Sequence, residues 1–263
     1  MRKNKMVGSV SEQSGILGVV KEIVRQLCDG ELTKEQGQLI IEHHNPFAKV
    51  IGMVSSVVER AREIMGRNFL GVDAVVRRFR VSVTDEIAKA FSVIPFAEEV
   101  LKAAKNDHIL VADFGNSFLD IRDKVGRGLF YDQNWYDSYR WAREGEAPQW
   151  RLIRKDAVPD SFNKNWGEQQ SLLQANEVVP RVRQMAYVIM LNYLENNERL
   201  FEHTWVRTLA VDSSGDHVLL GSIAKDGLDV STGLTTAAAA LSVSLPPGNP
   251  EPLIFERLNP CSS

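Results

Sequence analysis

Between Pro180 and the pair Asn196-Asn197 the chain carries Val182, Met185, Ala186, Ile189, Met190 and Tyr193 at steps of three and four. An α-helix turns once every 3.6 residues, so this spacing gathers the six side chains onto one stripe. Pro180 suits a first helical turn, where its missing N–H leaves no partner unsatisfied, and Asn196-Asn197 suits the end. Such a stripe has to be buried against something, so the helix is expected at the centre of the fold. What covers it follows downstream. Residues 204–211 and 217–223 are β-like runs separated by Asp212-Ser213-Ser214-Gly215-Asp216, a segment rich in turn formers, which predicts a hairpin. Residues 228–231, after Asp226-Gly227, read as a third strand.

Upstream, Ile16, Leu17, Val20, Ile23, Val24 and Leu27 recur at helical spacing, with Ser14 as N-cap and Gly30 beyond the end. A second helix opens at Thr33, which pairs with Gln36 as a capping box, and stops before Asn45-Pro46. A third covers residues 47–65 and is closed by Gly66. Two short helices in succession suggest a DNA-reading helix-turn-helix, but Glu35, Glu42 and a mostly apolar face do not suit base edges, so a helical annex is the better reading. Residues 72–83 hold Arg77, Arg78 and Arg80, which cannot all face one way and read as a solvated cluster. Residues 97–105 form a short helix opened by Glu98 and Glu99, at the positive end of its dipole. Residues 109–112 are a buried strand, 118–124 a helix, 149–155 a strand carrying Trp150, Leu152 and Ile153, and 161–174 a helix with its entry.

The class implied is α+β: an N-terminal helical region followed by a small, mainly antiparallel sheet packed against helices. The expected organisation is a mainly helical region over residues 1–105, an α+β core over 106–232 and a weakly ordered, alanine- and proline-rich tail over 233–263. With 44% hydrophobic and 25% charged residues the chain has the composition of a folded globular protein. A net charge of −3 provides no global field for a polyanion, so no general nucleic-acid binding is expected. Cys28 and Cys261 are the only cysteines, which supports neither a disulfide framework nor a cysteine zinc site and fits a reducing compartment. The basic start at Arg2, Lys3 and Lys5 is not followed by an apolar run, and no segment approaches the roughly 20 apolar residues of a membrane span. A soluble, cytoplasmic chain without membrane contact is therefore expected.

Few residues carry chemistry. Asp113-Phe114-Gly115-Asn116-Ser117, following a strand, looks superficially like the first phosphate loop of actin-like kinases and ATPases; the plain alternative is a strand-to-helix turn with Asn116 or Ser117 as N-cap. His43 and His44 are adjacent and point about 100° apart on a helix, and His108, His203 and His217 are scattered, so no metal site is expected. Asp212, Asp216, Asp226 and Asp229 lie in two turns that a hairpin can bring close, where they would hold a cation or simply make turns. Trp135, Tyr136, Tyr139 and Trp141, with Arg151 and Arg154, combine rings and guanidiniums in a way that suits a core with arginine at its rim, a protein-partner surface, or base stacking.

Several blocks together resemble a family of uncharacterised bacterial hypothetical proteins. They include Asn45-Pro46-Phe47-Ala48, Ile94-Pro95-Phe96-Ala97-Glu98-Glu99, Trp150-Arg151-Leu152-Ile153-Arg154-Lys155, Glu168-Gln169-Gln170, and Glu198-Arg199-Leu200-Phe201-Glu202. The resemblance covers roughly residues 31–231, implies no cofactor or reaction, and leaves the alanine- and proline-rich ending outside it. With no catalytic signature, no cofactor motif and no identifiable catalytic residue, the expectation is a binding or interaction protein, with Trp135, Tyr136, Tyr139, Trp141, Arg151 and Arg154 as its partner surface. The alternative is an enzyme of unidentified class, such as a hydrolase working through dispersed carboxylates.

Overall fold

The computed structural model describes residues 48–233 together with the short segments Ala238–Ala239 and Val243–Ser244. The helices expected at 16–27 and from Thr33, and His43 and His44, lie outside the described residues. The described residues from 56 onward belong to one compact unit.

Helix α1 (Ala48–Met65) ends at Gly66, whose φ of +55° suits glycine, and is followed by β1 (Phe69–Leu70). Next come α2 (Val72–Phe79), α3 (Asp85–Ala90) and α4 (Glu98–Ala104). Strand β2 (His108–Asp113) leads to α5 (Phe118–Val125), then the single turn α6 (Arg140–Arg143) and β3 (Gln149–Arg154). A second single-turn-scale helix, α7 (Trp166–Ser171), and β4 (Glu177–Val178) precede the long α8 (Val182–Asn196). The chain then runs through β5 (Trp205–Val211), β6 (His217–Ala224) and β7 (Gly227–Thr232), with β8 (Ala238–Ala239) and β9 (Val243–Ser244) beyond.

The fold is α+β, as its patterning implies, but the strands form two sheets rather than one. One has the order β1-β2-β3-β9-β4 and the other β7-β6-β5-β8. Their pairings are antiparallel except β1 with β2 and β5 with β8. The expected hairpin is β5 and β6, and β7 is the expected third strand.

Helix α8 touches β2 of the first sheet and β5 and β6 of the second, and packs also on α2, α5 and α6. Met185, Ala186, Ile189 and Met190 of the expected stripe are fully buried. So are Val188 and Leu191, which lie off that stripe, because both sides of the helix are covered. Its C-cap, Asn197, takes the left-handed conformation that asparagine tolerates, and donates its N–H to the Tyr193 carbonyl.

The structure differs from these expectations in several places. Thr84 opens an additional helix, α3, by accepting a hydrogen bond from the Ile87 N–H at 3.3 Å. Arg77 and Arg78 do not simply point into water: both reach Glu195 of α8, at 2.6 and 2.7 Å, and tie α2 to it. Phe69, Leu70, Val75 and Phe79, from the region read as mainly helical, join the same apolar cluster as β2 and α8. From the stretch read as a tail, Val243–Ser244 inserts between β3 and β4, and Ala238–Ala239 pairs with β5. Among the described residues no helix is long and apolar enough to cross a membrane.

Candidate functional site

The residues of β2 are all buried, and the last of them is Asp113. Antiparallel pairing sets Val111 opposite Arg151 of β3. Side chains alternate along a strand, so Asp113, two residues beyond Val111, points to the face that Arg151 occupies. The first turn of α8 brings Arg183 to the same place. Arg183 grips Asp113 with two nitrogens, Nη1 to Oδ1 at 3.0 Å and Nη2 to Oδ2 at 2.7 Å, while Arg151 Nε donates to Oδ2 at 2.7 Å. The Gly115 N–H supplies a further donor at 2.9 Å. All three charged side chains are at most 2% exposed.

A second carboxylate completes the cluster. Glu146, in the loop between α6 and β3, accepts from Arg183 Nη2 at 2.8 Å, from Gln184 Nε2 at 3.3 Å and from Arg151 Nη2. Its other oxygen faces Arg181 Nε at 3.2 Å. Burial on its own would raise the Asp113 carboxyl, but the Arg183 and Arg151 guanidiniums overcome it and hold the group at about 2. Glu146 is lowered in the same way, with Arg183 outweighing burial. Arg183 is raised, because the carboxylates outweigh its own burial. Tyr187 of α8 packs under the cluster, donating to the Ala112 carbonyl at 2.9 Å and accepting from the Phe114 N–H at 3.2 Å. Two carboxylates held ionised beside protonated arginines make a poor proton relay at neutral pH; they are suited to holding charge and geometry.

The turn after β2 follows from this. Ser117 is the N-cap of α5 and forms a capping box with Asp120, which is the plain reading of the segment. The likeness to a phosphate loop is not met in the side chains, since the Asp113 carboxylate is engaged by two arginines. Gly115 has φ +80°, and a Cβ there would lie 1.8 Å from the Glu146 carbonyl oxygen. Gly115→Ala should therefore destabilise the protein, measured by urea denaturation, by more than the roughly 1–2 kcal/mol of left-handed backbone strain alone, because the 145–147 loop must also move.

The six residues expected to share a partner surface do not share one. Phe118 meets Tyr136 at 5.0 Å and Trp141 at 5.8 Å, and Trp135 meets Tyr139 at 5.7 Å, so the four rings pack on each other and on α5. Tyr136 is fully buried. Arg151 is withdrawn into the Asp113 cluster, and Arg154 pairs with Asp107 at 3.5 Å and Glu177 at 3.4 Å. The aspartate turns also stay apart. Asp212 folds back on the Ser214 and Asp216 N–H groups at 2.8 and 3.0 Å, whereas Asp226 lies in the turn at the opposite end of β6, eight residues or roughly 25 Å away. Asp229 sits within β7.

The described histidines are separate too. His108 contacts Asp107 at 2.9 Å, His203 is exposed, and His217 stacks on Trp166 at 3.8 Å while its Nδ1 donates to the Thr208 carbonyl at 2.8 Å. Burial lowers the His217 ring below its ordinary range. Among the described residues no group of three or more His, Cys, Asp and Glu is placed to hold a metal ion.

The loop between β3 and α7 has an unusual backbone. Asp160 and Asn163 have φ of +61° and +56°, left-handed conformations that cost non-glycine residues of order 1 kcal/mol each, and between them Phe162 is 45% exposed. The loop is pinned from below. Gln169 Nε2 donates to the Ser161 carbonyl at 2.8 Å, and Arg207 Nη1 donates to Gln169 Oε1 at 2.6 Å. Asp160, Phe162, Lys164 and Leu172 border a shallow, open depression in the surface. Neither a protein-family model, nor a curated protein, nor a solved structure matches this chain.

Proposed function

We propose that the protein is a binding protein and that it engages a partner through Phe162 and the shallow depression beside it. The observation that carries this reading is the placement of that ring: a large apolar side chain, 45% exposed, between two left-handed residues on a loop tied by buried hydrogen bonds. Aromatic side chains on preordered loops lose little entropy on binding and are enriched in recognition sites. Lys164 at the edge of the depression adds one polar contact. A hydrolase working through carboxylates draws no support from Asp113 and Glu146, both held ionised by arginine.

A peptide-display selection on the immobilised protein, with Phe162→Ala as counter-target, tests the reading. Peptides are expected that bind the variant at least ten-fold more weakly, about 1.4 kcal/mol, while its denaturation midpoint stays close to that of the parent. Peptides that bind both proteins equally would remove the depression from consideration. Turnover of a chromogenic ester or phosphate panel that is abolished by Glu146→Gln would instead favour the hydrolase.

A further inference from the structure

We draw no further inference here: the strongest candidate, the stack of His217 of β6 on Trp166 of α7, the helix whose Gln169 ties the Phe162 loop, rests on the titration of one ring and on no second observation that points to a ligand, a partner or another position of the helix.

Discussion

Asp113→Asn is expected to destabilise the protein by about 3–5 kcal/mol, the loss typical when one partner of a buried ion pair is removed and the other is left charged. The substitution keeps the size of the side chain but takes from Arg151 and Arg183, each 2% exposed, the more deeply buried of the two carboxylates they share, Asp113 rather than Glu146. Urea denaturation at neutral pH measures the loss, and an unfolding free energy within about 0.5 kcal/mol of the parent would show that the cluster is not a structural keystone. The same residue predicts an acid response. Its carboxyl lies at about 2 in the fold against an ordinary 3.8, so the unfolded chain binds the proton first. A depressed carboxyl contributes stability that is present above the unfolded value and is lost as pH falls through the folded one. The contribution, about 2–3 kcal/mol, should therefore fade between roughly pH 4 and pH 2, and Asp113→Asn should lack that part of the acid limb.

Ile189→Ala should cost about 2–5 kcal/mol. Ile189 is fully buried in α8, the helix that contacts strands of both sheets, and neighbours packed on every side cannot all collapse into the space left behind. Val93→Ala, at a position 63% exposed, should stay within about 0.5 kcal/mol and serves as the control. Thermal or urea unfolding of the pair checks the contrast, and equal midpoints would mean that α8 is not the centre of the core.

The local elements were largely legible. Helix α8, the β5–β6 hairpin, β2, β3 and the cap at Ser117 all announce themselves through signals a few residues long: period, turn composition and N-cap chemistry. Helix α3 was missed although Thr84 caps it, because its six residues include no buried side chain and leave no apolar period to read. The candidate sites were far less legible. Arg183 sits one residue from the start of an apolar helix and carries no mark of its partner 70 residues earlier. Glu146 lies in a loop whose composition says only that it is a turn. The ring cluster around Tyr136 was recognised as a group, but whether it faced inward or outward depended on α5 being there to cover it.

What the sequence by itself determined is α8 with its buried stripe, the β5–β6 hairpin, β2, β3 and the cap at Ser117, since secondary structure and amphipathic faces depend on neighbours within one or two turns. Only the tertiary structure decided that the strands divide into two sheets with α8 between their strands, that Asp113, Glu146, Arg151 and Arg183 meet, and that Phe162 stands out. The physical reason is that charge pairing and burial are set by distance in space. A carboxylate and a guanidinium separated by many turns of chain become partners only when the packing of apolar faces removes water from both.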